Sequence, residues 1–224
     1  VPSPVDFPEV YRRLGQKTES ILCVALNSLQ SKTFDAAVLA KEMAKEVIPN
    51  TAIEVIDSRI TAGALGLVVL EAARVASHGA DLAQVAEAAR RMIPRVNLIA
   101  MLDTLYYLAK GGRIGKASAW TGSLLSLKPI LEASTSTGNT EALDRPRTKA
   151  KAVKRLLEIM AERIGNSPVH VLVHHAGVPE EGERLKAQVA SRFDCAGLYL
   201  TEFTPLMGAH TGPGVLALSF YAES

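Results

Sequence analysis

Only two cysteines, Cys23 and Cys195, stand in the 224 residues. They lie far apart, without Cys-x-x-Cys spacing and without a histidine at metal-ligand distance. That pattern excludes a disulfide framework and a cysteine-based metal site, so both thiols read as reduced groups in or near a core. An excess of one charge is equally absent. Twenty-five basic residues stand against 23 acidic ones, for a net charge of +2, which gives no concentrated basic face for nucleic acid. Long hydrophobic runs are missing too. The apolar runs at 21–26, 65–70 and 169–173 are far shorter than the roughly 20 residues a bilayer span needs, so no membrane span is expected. The chain opens at Val1 without methionine, a basic-then-apolar leader or a transit-peptide composition, and it reads as cytoplasmic, with an N-terminus that can be incomplete.

What is present is enough apolar material, 48% of residues, to build a core in one large or two small domains. Strand-like runs alternate with amphipathic helical patterns, the mark of an α/β protein with a largely parallel sheet. The run 21–26 predicts a buried strand, 33–47 a helix and 52–56 a second strand, together a βαβ unit. An apolar helix over 63–77 follows, with small residues that allow close packing. Asp81 is placed to cap a helix that runs to Met92 and ends before Pro94. The pattern restarts at 96–102, which sets a domain boundary at Pro94-Arg95 and two α/β domains, 1–94 and 95–224. In the second, a helix over 104–110 is broken by Gly111-Gly112, and 128–145 predicts two strands joined by a turn at 134–140. A basic amphipathic helix over 147–163, a strand at 169–174, a helix over 179–193 and strands at 198–203 and 215–221 complete a mixed sheet.

One stretch stands out chemically. Met207-Gly-Ala-His-Thr-Gly-Pro-Gly214 puts His210 in what reads as a stiff, open loop of small residues, where Gly208, Gly212 and Gly214 permit close backbone approach. Ser28, Ser31 and Thr33 fall just after the first strand, at the carboxyl edge where open α/β sheets gather ligands; their hydroxyls suit either a helix cap or a ligand oxygen. Gly111-Gly-Arg-Ile-Gly-Lys116 resembles a phosphate loop but is one residue short before Lys116 and has Ala117 where a metal-binding hydroxyl belongs. It reads equally as a helix C-cap with Arg113 and Lys116 in solvent. Arg145 and Arg147 precede a helix start, where the macrodipole disfavours cations and an anionic partner offsets that cost. His174-His175 reads as structural, and Asp57 and Asp103 as helix caps. No metal site and no cofactor are expected.

These pieces occur in a characteristic order. Pro2-Ser-Pro, Ser31-Lys-Thr33, Asp57-Ser-Arg59, Asp103-Thr-Leu-x-Tyr-Leu with Gly111-Gly-Arg-Ile-Gly-Lys116, Leu127-Lys-Pro-Ile130, Arg145-x-Arg-Thr148 and Gly208-Ala-His-x-Gly-Pro-Gly214 together resemble the DegV family over essentially the whole chain. The resemblance implies a bacterial cytoplasmic protein whose two α/β domains enclose a long-chain fatty acid in a tunnel between them and present its carboxylate to a separate fatty acid kinase. Ser31 matches the family serine that hydrogen-bonds the carboxylate, and His210 the histidine of the same network. Ser28, Thr33 and Gly208 would lie beside them, and Arg113, Lys116, Arg145 and Arg147 would form a cationic rim for the kinase or its nucleotide phosphates. A further threonine ligand of the family, and its first strand, would fall before Val1. Lys32 stands where the family usually has glycine, beside the presumed head group, where it would either strengthen carboxylate binding or block it. Ala62 replaces a common serine. Two other readings stay open at this point: an acyl or phosphoryl transferase using Ser31 and His210, and a regulatory module with a vestigial cleft.

Overall fold

The apolar run that starts at Ile21 becomes β1 (Ser20–Ala25), the first strand of a computed structural model that describes residue 2 and residues 6–120 and 127–223. Ser3 and Pro4 of the first family motif lie outside the described residues. Two compact units result: residues 1–61, 65–94 and 135–138 in the first, and residues 62–64, 95–134 and 139–224 in the second.

In the first unit β1 pairs in parallel with β2 (Ala52–Asp57), in register from Ser20 opposite Ala52 to Ala25 opposite Asp57. The crossover between them is α2 (Thr33–Ala44), whose buried face Ala36, Ala37, Ala40 and Ala44 is made of methyl groups only, so the helix can sit close to the strands. A helix not anticipated from the sequence, α1 (Asp6–Gly15), places Tyr11 against Ile21, Ala40 and Ala44. It is short and carries acidic residues in its first turn and basic ones in its last, an arrangement that suits the macrodipole. Helix α3 (Ala62–Ser77) is followed by α4 (Leu82–Met92), which opens with a capping box in which Asp81 and Gln84 serve each other's backbone N–H groups. Among the described residues this sheet has two strands.

The second unit holds a six-stranded mixed sheet in the order β5-β4-β3-β8-β6-β7, formed by β3 (Asn97–Met101), β4 (Ile130–Ala133), β5 (Thr140–Asp144), β6 (Val169–His175), β7 (Cys195–Glu202) and β8 (Leu216–Ala222). Only β6 and β7 run parallel; the other neighbouring pairs are antiparallel. Between them in sequence lie α5 (Tyr106–Lys110), α6 (Lys149–Ile164), α7 (Pro179–Arg192) and α8 (Pro205–Thr211). The alternation of strand side chains sends Val171, Val173, Leu216, Leu218 and Phe220 to one face, where they meet Leu156 and Met160 of α6 and Leu185 and Val189 of α7 in one fully buried core.

Residues 207–211 correct the expectation of a loop around His210. Thr204 accepts a hydrogen bond from the Met207 N–H at 3.4 Å, Pro205 occupies the first helical turn, and the chain stays helical until Gly212 at φ +80°. The start signal was the Thr-Pro pair; three small residues inside the helix hid it.

Candidate functional site

In the first unit the link from β1 to α2 is organised by Asn27, a buried residue that the sequence reading passed over. Its side-chain amide donates to the Gly138 carbonyl at 2.7 Å and its oxygen accepts the Leu29 N–H at 3.0 Å, while its backbone carbonyl accepts the N–H groups of Gln30 and Ser31. The tendency of asparagine to close such turns was the available signal. Ser28 is tied down separately: its hydroxyl donates to Asp57 at 2.6 Å and its N–H to the same carboxylate at 3.1 Å. Asp57 also accepts the Arg59 N–H at 2.9 Å, so it clamps the β1 and β2 exits and is not the helix cap expected of it. Ser31 accepts the Thr33 N–H at 3.3 Å and shares a hydrogen bond with the Thr33 hydroxyl at 2.8 Å. Two hydroxyls have two protons, and one joins the pair. The other makes no hydrogen bond among the described residues, and the pair sits at the positive end of α2. Lys32 turns to Asp35 at 3.0 Å, well out in solvent.

In the second unit α8 and α5 lie against each other. The His210 imidazole is half-buried and has no hydrogen-bond partner among the described residues. It rests on Gly111, where a Cβ would come within 2.6 Å of Nδ1. The Tyr107 ring in turn fills the space beside Gly212, where a Cβ would lie 2.4 Å from the ring. Asp103 pairs with Lys128 at 2.9 Å and lies beside Gly214. It too is not a helix cap, since Thr104 takes the Tyr106 N–H at 3.1 Å. Gly208 lines an open cleft of about 430 Å³ with Ala176, Gly177, Glu202, Phe203, Thr204, Pro205 and Pro213.

Arg113 donates to the Gly111 carbonyl at 2.5 Å, Lys116 pairs with Glu141 at 3.1 Å, and Arg145 and Arg147 are exposed ahead of the Thr148 cap of α6. His174 is fully engaged, bonded to Thr201 at 2.6 Å and Ser219 at 2.9 Å and stacked on Phe203. Burial, with a smaller contribution from His175, holds its pKa down to about 4. Both cysteines are free, and burial raises their thiols, which makes poor nucleophiles. No described helix is long and apolar enough to cross a membrane.

A small parallel sheet in one unit and a larger mixed sheet in the other define a two-unit α/β protein. The family model described as "Uncharacterised protein, DegV family" matches residues 1–223, and the chain belongs to the DegV family. A DegV domain-containing protein of Streptomyces coelicolor is 37% identical over 219 residues, covering 97% of this chain and 75% of the relative. One from Clostridium acetobutylicum is 31% identical over 223 residues, covering 99% and 77%. Among solved structures, a fatty-acid-binding DegV family protein from Thermus thermophilus superposes with a TM-score of 0.89 at 27% identity, covering 99% of this chain and 78% of that one. DegV from Bacillus subtilis, described as a fatty acid binding protein, gives 0.88 at 27% identity, with coverage of 99% and 77%.

Proposed function

We propose that this protein binds a long-chain fatty acid without catalysing its conversion, holds the acyl tail in a tunnel between its two α/β domains, and presents the carboxylate to a fatty acid kinase in the cytoplasm. The observation that carries the reading is that polar groups at two helix ends keep hydrogen-bonding capacity for a ligand: the second hydroxyl proton of Ser31 and Thr33, and the imidazole of His210, which no described protein group hydrogen-bonds. Family membership and the fatty-acid-binding relatives from Thermus thermophilus and Bacillus subtilis support it. Burying about fifteen methylenes at about 0.8 kcal/mol each contributes on the order of 12 kcal/mol before the costs of ordering and association. The tail supplies affinity. The carboxylate cannot be left unpaired, so Ser31 and His210 orient it, with Ser28, Thr33 and Gly208 beside them. Arg113, Lys116, Arg145 and Arg147 serve as the docking surface for the kinase or its nucleotide.

The alternative reading, an acyl or phosphoryl transferase using Ser31 and His210, makes the opposite prediction: substitution of either residue would leave binding intact and abolish turnover. Mass spectrometry of the purified protein, native and after organic extraction, tests the proposal. A stoichiometric long-chain acid, lost in Ser31→Ala or His210→Ala, is the expected result. A chain that carries no fatty acid and takes up none when it is added overturns it.

A further inference from the structure

Gly111 ends α5 at φ −78° and ψ −7°, a conformation that any residue adopts, so its backbone does not call for glycine. Its surroundings do. A Cβ there would stand 2.6 Å from Nδ1 and 3.3 Å from Cε1 of His210, and 3.1 Å from the Tyr107 carbonyl. Across the same contact Gly212 closes α8 at φ +80°, and a Cβ on it would stand 2.4 Å from Cδ2 of Tyr107. The two short helices therefore interlock reciprocally. The C-cap of α5 receives the ring of His210 from α8, and the C-cap of α8 receives the ring of Tyr107 from α5.

We propose that Gly111 and Tyr107 are positioning residues for His210, and that this lock sets the direction in which the imidazole meets its ligand. The proposal rests on the fatty-acid reading above for the identity of that ligand, but the placement of the ring is a property of α5 and α8 themselves. His210 has no protein hydrogen bond among the described residues to aim it, and close van der Waals contact with the Gly111 backbone restrains the ring. A methyl group at Gly111 is relieved most cheaply by rotation of the imidazole, because the other close neighbour is main chain and an off-rotamer side chain costs only about 1 kcal/mol. The fold survives and the ring turns away. Tyr107 acts one step further back, since without its ring the Gly212 turn that ends α8 loses its stop.

The test combines ring-nitrogen NMR of the histidines in the full chain, with His210 assigned by its absence in His210→Ala, and titration with palmitate. In Gly111→Ala the His210 ring signals are expected to move, palmitate affinity to fall at least about tenfold, the scale of one hydrogen bond to a charged group, and the far-UV spectrum and cooperative melt to persist. In the double variant His210→Ala/Gly111→Ala, affinity should fall no further than in His210→Ala alone. Unmoved ring signals in Gly111→Ala, or additive losses in the double variant, overturn the proposal. If His210→Ala binds palmitate as the parent does, the fatty-acid role of His210 fails, and the ring signals alone decide whether Gly111 seats it. If Gly111→Ala does not fold, Tyr107→Leu decides by the same signals: displacement sustains the lock and an unmoved ring ends it.

Discussion

His174 shows what a single buried histidine does to this chain. Thr201 and Ser219 satisfy its two ring nitrogens, Phe203 covers one face, and Gly63 lies so close that a Cβ would come within 2.4 Å of Cε1. No room or dielectric remains for a charged ring, and its pKa falls from 6.5 to about 4. The sign follows from proton counting. Between those two values the unfolded chain binds a proton that the folded chain refuses, so stability rises with pH across the window. The contribution is fully present above about pH 6.5 and is lost progressively as pH falls through about 4. At 1.36 kcal/mol per pKa unit the loss is on the order of 3 kcal/mol. Urea unfolding at a series of pH values should show that fall, and His174→Gln, which has no proton to take up, should flatten it. A slope unchanged in the variant would assign acid sensitivity elsewhere.

At the scale of elements, α4 depends on its first turn. Asp81 accepts the Gln84 N–H at 2.9 Å, and Gln84 accepts the Asp81 N–H at 3.0 Å. Asp81→Ala removes the first of these and should destabilise the chain by about 1 kcal/mol, read as a lower urea midpoint at constant slope. That cap was legible in the sequence, as were the elements with strong periodicity. The apolar runs at 21–26, 96–102 and 169–174 became β1, β3 and β6, and the turn over 134–140 became the β4–β5 connection. What escaped were elements whose signal is weak or non-local. Helix α8 has seven residues, too few for an apolar stripe to repeat; α1 is the exception, since Phe7, Val10, Tyr11 and Leu14 stand at helical spacing and its signal was readable. Asp57 and Asp103 stand where caps usually stand. Their partners, Ser28 and Lys128, lie 29 and 25 residues away in sequence, and only the fold supplies them. The seat of His210 was hidden for the same reason: Gly111 reads as a helix terminator, and nothing in its neighbourhood of sequence indicates a ring packed on it.

For the whole molecule, ligand and stability are linked. A fatty acid that binds the native chain and not the unfolded one stabilises it by about 2.7 kcal/mol at a hundredfold excess over Kd. In a domain of this size class that is a rise of several degrees in Tm. The division of labour in the proposed site makes a sharper prediction. If the tail supplies affinity and the hydroxyl and imidazole orient the carboxylate, hexadecanol, with a similar tail and no charge, should raise Tm less than palmitate does at equal concentration. Ser31→Ala and His210→Ala should remove most of the difference between the two ligands while leaving the tail's contribution, because what each substitution deletes is a charge-assisted hydrogen bond worth about 1.5–3 kcal/mol. Differential scanning fluorimetry of the parent and both variants with each ligand measures all of these terms. Equal shifts for the acid and the alcohol in the parent chain would mean that no donor meets the carboxylate, and the assignment of Ser31 and His210 would fall even if the chain binds lipid.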